Sequence, residues 1–115
     1  MGNEEKISLV NKNIGHIDVG GNGWGLKIKT LYLSNNNICS LRNLTQFPNL
    51  EHLSLSHNDI CSITNIRYLQ QLLHLTHLSL EVNPVTNHHF YQPYVFGNVP
   101  SLKMLDQKPI AEALQ

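Results

Sequence analysis

The sequence predicts an α/β solenoid, a right-handed coil of short repeats with a parallel sheet on its concave face and short helical turns on its convex side. Three stretches carry that prediction. From Ile28 the chain runs I-K-T-L-Y-L-S-N-N-N-I, from Leu50 L-E-H-L-S-L-S-H-N-D-I, and from Leu75 L-T-H-L-S-L-E-V-N-P-V. All three fit L-x-x-L-x-L-x-x-N-x-L without a gap, and self-similarity at a near-constant period marks a repeat architecture.

Each position has a physical job. An L-x-L pair forms a short strand with both leucines on one face. Asn36, Asn58 and Asn83 fall where the chain leaves each strand, and their amides can satisfy backbone groups there, which predicts a stacked ladder. The return path carries Leu41, Leu44 and Phe47, then Ile63, Ile66 and Leu69. Spacing by three suits tight helical turns. The first repeat is 22 residues long (Leu31 to Leu53) and the second 25 (Leu53 to Leu78), so Gln70 to Leu72 should add about one turn. A degenerate copy precedes these repeats, with Ile7, Leu9 and Ile14 in register but Lys12 at the asparagine position. A partial copy, Leu102 to Leu105, follows. Atypical ends are expected of a solenoid, which must close its core against water. The predicted organisation is a degenerate repeat and loop over 1–27, central repeats over 28–82, a cap over 83–110 and a tail over 111–115.

Composition narrows the function. The chain has 115 residues, enough for one domain. Eight basic and eight acidic residues leave no net charge, which disfavours direct nucleic-acid binding. No apolar run has the length of a membrane span and the start, MGNEEKISLV, has no signal-peptide core. The chain therefore reads as soluble, intracellular and not membrane-bound. Met1-Gly2 is read as a plain start, because Lys6 stands where a myristoylation motif wants Ser or Thr. Without a secretory signal the sequon at Asn43 means nothing. The stretch Gly20 to Gly25 (G-G-N-G-W-G) lacks the G-K-[ST] of a phosphate loop and reads as a plain loop with Trp24 packed on it. Cys39 and Cys61 both follow the isoleucine of N-x-I-C, 22 residues apart on adjacent coils. An intracellular setting favours two reduced, tightly packed thiols over a disulfide. The segment after Asp106, QKPIAEALQ, begins like a helix and reads as the front of a further segment.

These motifs resemble the short-repeat class of intracellular leucine-rich-repeat proteins. N-P-V-T-N from Asn83, Tyr91, Tyr94-Val95-Phe96 and V-P-S-L-K-M-L-D ending at Asp106 resemble that class's C-terminal cap. The resemblance implies a helix and a last strand shielding the open end of the core. Gln92 and Pro93 depart from the family's pattern, so the cap helix should begin close to Pro93. Gln107 replaces the usual glycine and leaves the tail geometry open. Two subgroups share these features. Three central motifs plus cap resemble the cilia- and flagella-associated proteins, which implies a cytoplasmic adaptor in a ciliary, basal-body, centrosomal or cytoskeletal assembly. The strings K-T-L, N-N-x-I-C and N-P-V-T-N resemble the spliceosomal A-prime group equally well, which implies a nuclear protein that clasps an RNA-binding partner. The reading carried forward is the first, with the second as its alternative.

Partner contact should fall on the concave side, where side chains alternate with the buried leucines: Thr30, Tyr32 and Ser34; His52, Ser54 and Ser56; His77, Ser79 and Glu81; then Met104 and Asp106. Strands about 4.8 Å apart should set His52 beside His77, flanked by Thr30 and Met104. The two histidines with Glu81 do not make a metal site, since structural zinc wants four ligands and no thiolate lies on this face. Ser54 or Ser79 with His77 and Glu81 can be drawn as a hydrolase triad, but an open sheet offers neither oxyanion hole nor cleft. His74, His88 and His89 read as solvent-facing. The expectation is a non-catalytic scaffold for protein partners, with no metal and no cofactor, its oligomeric state open.

Overall fold

An L-x-L triplet hides its leucines only if another strand lies beside it, so one repeat calls for the next. The computed structural model of the chain describes residues 5–17 and 24–110, and it sets a strand at every such place. The strands β1 (Lys6–Ser8), β2 (Thr30–Tyr32), β3 (His52–Ser54), β4 (His77–Ser79) and β5 (Met104–Leu105) lie in chain order, all parallel. A short antiparallel strand, β6 (Lys108–Pro109), closes the sheet against β5. Ile7, Leu31, Leu53, Leu78 and Leu105 are mutual partners across the ladder, so the degenerate first copy and the partial last copy keep the register of the central three.

The core is one column. Leu31, Leu53 and Leu78 in the strands, Leu33, Leu55 and Leu80 just past them, and Ile38, Ile60 and Val85 beyond the asparagines are each at most 2% exposed. On the convex side the chain runs through 3-10 segments at Arg42–Gln46 and Ile63–Gln71. Three residues per turn put Leu41, Leu44 and Phe47 on one buried line, and Ile66, Leu69 and Leu72 on the next, with Ile63 half-buried. The longer repeat extends this segment, nine residues against five.

The asparagine ladder links the coils. Asn58 Oδ1 accepts the N–H of Ile38 at 3.0 Å, while its Nδ2 donates to Leu33 O and Leu55 O, each at 3.0 Å. Asn83 repeats the pattern with Ile60, Leu55 and Leu80, and Asn36 with Lys12, Ile14, Leu9 and Leu33. Each amide bonds its own coil and the one before, so Lys12 needs no asparagine of its own.

The residue just before each of these positions has a left-handed backbone. Asn11, Asn35, His57 and Val82 have φ of 59°, 60°, 59° and 58°. Asparagine tolerates this conformation, but a β-branched side chain does not. Gly25 meets a different constraint: a Cβ there would lie 2.3 Å from the carbonyl oxygen of Gln46, so the close approach of two coils requires glycine. The remainder of the glycine-rich loop and the Trp24 side chain lie outside the described residues, as does the tail 111–115.

The cap helix α1 (Tyr91–Asn98) admits Pro93 as its third residue, where the missing N–H costs nothing. Tyr91 and Val95, one turn apart, are buried against the last coil. Asp106 departs from its expected place among the presented residues. Its Oδ1 accepts the N–H of Leu80 at 2.7 Å, and its Oδ2 accepts the Tyr91 hydroxyl at 2.8 Å. The carboxylate thus stands in for the missing next coil, because the chain reverses here. Asp106 and Gln107, with φ of 51° and 68°, form the two-residue turn between β5 and β6, both left-handed as a right-twisted hairpin prefers. Gln107 takes the conformation a glycine would adopt without strain.

The cysteines depart as well. Cys39 and Cys61 are free, as expected, but exposed and not packed, because the isoleucines before them take the inward places.

Val82 is 62% exposed, so packing does little to offset its backbone strain. Val82→Asn should raise unfolding stability by about 1 kcal/mol, read from urea denaturation midpoints. A lower midpoint would mean that the coil does not require a left-handed residue there.

Candidate partner-binding surface

Residues between inward leucines must face the other way, and the registered strands gather them into rows. The first row is Lys6, Thr30, His52, His77 and Met104, and the second is Ser8, Tyr32, Ser54 and Ser79. Ser34, Ser56 and Glu81 follow at the strand ends. The ten residues expected to meet a partner share this one surface, and all ten are half-buried. Seven of them (Tyr32, His52, Ser54, Ser56, His77, Ser79 and Met104) line an open concavity of about 470 Å³. Thr30, Ser34 and Glu81 lie outside its lining.

The histidine pair forms as expected. The rings of His52 and His77 stack with centroids 4.2 Å apart and planes 10° from parallel. Thr76 Oγ1 lies 2.8 Å from His77 Nδ1 and 3.1 Å from Glu51 O, and these two contacts orient the His77 ring. Partial burial, the neighbouring His52 and the Lys103 ammonium, in that order, hold the His77 imidazole below the usual histidine range.

Around the pair the surface is held in place by its own hydrogen bonds. Ser34 Oγ bonds Ser54 Oγ at 2.8 Å and accepts from Ser56 Oγ at 3.0 Å. Glu81 Oε1 accepts from Ser79 Oγ at 3.2 Å and from Gln107 Nε2 at 2.9 Å. Lys6 Nζ lies 5.6 Å from the centre of the Tyr32 ring, within cation–π range. Sequence reasoning missed Gln107 and Lys6. The register of Ile7 could have placed Lys6 beside Thr30, whereas Gln107 reaches the concavity only through the left-handed turn.

This geometry is not that of a triad. The Ser79 hydroxyl donates to Glu81, and His77 is oriented by a threonine hydroxyl and not by a carboxylate. The stacked imidazoles lie parallel and do not converge on a common point, and no group of three or more His, Cys, Asp or Glu able to hold a metal occurs among the described residues. At the cap, burial pushes the Asp106 carboxyl above its ordinary range, partly offset by the Leu80 N–H and the Tyr91 hydroxyl. Burial, then the Asp106 charge, raises the Tyr91 phenol strongly. Asp106 and Tyr91 are a structural pair.

The lowered His77 pKa fixes a sign. An unfolded chain protonates this histidine near the ordinary histidine value of 6.5, and the folded chain only at lower pH. The stabilisation it carries is complete above that value and is lost as pH falls toward the folded pKa. Unfolding stability measured from about pH 7.5 to about pH 5 should decline less steeply in His77→Gln than in the parent. Equal slopes would contradict the assignment.

No helix among the described residues is long and apolar enough to cross a membrane. A family model described as leucine-rich repeat matches residues 5–114. A search of curated protein sequences returns no match. Among solved structures, a chain of the Drosophila melanogaster SNF/U2A' complex aligns with a TM-score of 0.75 at 24% identity, over 91% of this chain and 74% of that one. The Chaetomium Mex67:Mtr2 subunits align with a TM-score of 0.75 at 22% identity, over 99% of this chain and 90% of that one. The Mex67 LRR domain from Chaetomium thermophilum gives 0.67 at 29% identity, over 76% of this chain and 61% of that one. With the family match spanning nearly the whole sequence and the parallel solenoid shared with these structures, the chain belongs to the leucine-rich-repeat family.

Proposed function

We propose that this chain is a non-catalytic platform that holds a protein partner on its concave face. The observation that supports this most is the division of labour in the strands. Every inward residue is spent on the core, while the outward rows present Tyr32, His52, His77 and Met104 around one open concavity. Tyrosine and the stacked imidazoles offer contact area that is already ordered, so little conformational entropy remains to be lost on binding. Glu81 and the serines supply polar groups at fixed places, which favours specificity over bulk adhesion. In this reading residues 83–110 are the cap that keeps the last coil dry, and residues 28–82 carry most of the contact surface. The equal numbers of acidic and basic residues favour a protein over a nucleic acid as the direct partner.

Three motifs plus cap support a ciliary or basal-body adaptor. The strings K-T-L, N-N-x-I-C and N-P-V-T-N support the nuclear alternative, an A-prime-like protein that clasps an RNA-binding partner. Imaging the tagged full-length protein in its own cell separates the two settings.

Replacing Tyr32, His52 and His77 together by alanine should abolish capture of the partners that the parent recovers from its own cell extract. The melting temperature should stay within about 3 °C, because none of the three is in the core. Undiminished recovery of the same partners would move recognition to the convex side or the cap.

A further inference from the structure

Cys39 and Cys61 each stand eight residues beyond a strand leucine, Leu31 and Leu53, and those leucines are direct partners across β2 and β3. The pairing of the two coils continues past the strands. Leu33 N–H bonds Ser54 O at 2.8 Å, Asn35 N–H bonds Ser56 O at 3.0 Å, and Asp59 N–H bonds Ile38 O at 2.9 Å. Two residues after Cys39, Leu41 N–H bonds Asn65 Oδ1 at 3.0 Å, and Asn65 Nδ2 donates to Cys39 O itself at 3.3 Å. Backbone bonds thus hold the two coils at strand spacing up to the residue before Cys39, and the Asn65 side chain ties them together just beyond it. A strand spacing of about 4.8 Å lies inside the roughly 4.4–6.8 Å between Cα atoms that a disulfide spans. Ile38 and Ile60, each 0% exposed, fill the inward places immediately before them, which turns both thiols outward to solvent. Gly15 and Thr86 hold the same register place on the flanking coils, so the fold itself does not demand cysteine there.

We propose that Cys39 and Cys61 form a vicinal dithiol site that a peroxide closes into a disulfide joining the second and third coils. One thiolate attacks a peroxide oxygen, the O–O bond breaks and hydroxide leaves, so that sulfur becomes a sulfenic acid. The other thiolate attacks the sulfenic sulfur, the S–O bond breaks and the second hydroxide leaves. Two thiols lose two electrons and two protons, and hydrogen peroxide becomes two molecules of water. The bond would close a loop of 23 residues from Cys39 to Cys61 and pin together the coils that carry Tyr32 and His52. It is reversible by a dithiol reductant.

The chain has only two cysteines, so the chemistry can be assigned without ambiguity. The reduced full chain is treated with equimolar hydrogen peroxide and followed by intact mass, thiol titration and non-reducing electrophoresis. The expected result is a monomer about 2 Da lighter, with no titratable thiol, restored by dithiothreitol. Its melting temperature should rise by about 5 °C or more, as a loop of this length predicts. Cys61→Ser under the same treatment should show no such loss and should instead leave a sulfenic acid on Cys39 that dimedone traps. Addition of oxygen to both cysteines of the parent without the 2 Da loss, or disulfide-linked dimers in place of the bridged monomer, would overturn the proposal.

Discussion

A buried primary amide has two N–H donors and an acceptor oxygen, and each must find a partner or cost free energy. In this chain Asn36, Asn58 and Asn83 meet that demand across the coil boundary, since each accepts from the preceding coil and donates to carbonyls of both. The leucine column is non-directional and would tolerate a slip of register. The amides do not. They set the step from coil to coil, and so they determine which outward side chains become neighbours.

The same step has local consequences. To bring each asparagine into the groove between coils, the residue before it turns left-handed, even where that residue is Val82. Leu33 and Leu55 give their N–H groups to the Ser54 and Ser79 carbonyls of the next coil, and for Leu80, at the last step, the Asp106 carboxylate takes that place. Tyr91 holds that carboxylate from α1, which joins the cap helix to the end of the sheet through one hydrogen bond of 2.8 Å. The cap is thus polar at its rim and apolar beneath, where Tyr91 and Val95 cover the last coil.

What could be read in the sequence was whatever repeats. The recurrence of Leu31, Leu53 and Leu78 made the strand register legible, and reading that register was enough to place His52 beside His77. The ladder was legible because asparagine recurs at one position. What could not be read depends on single events. Gln107 reaches Glu81 only because the chain reverses at a left-handed turn, and nothing in its residue type announces that conformation. Asp106 follows the outward alternation of a strand, yet β5 is only two residues long and the chain turns at Asp106 itself. The cysteines were misplaced because a small, soft side chain suggests packing, whereas their register places them just past an inward isoleucine.

The central claim is that the amide ladder, more than the leucine column, sets the step between coils. Amide hydrogen exchange on Asn58→Ala tests it most directly, because Asn58 serves Ile38 N–H in the coil behind and faces carbonyls on both sides. Protection at Ile38 should fall by roughly ten-fold or more, with smaller losses spreading to amides of the preceding coil and of its own, Leu33 and Leu55 among them. Unchanged protection at Ile38, or a loss confined to the coil that holds the substitution, would show that leucine packing alone keeps the coils in register.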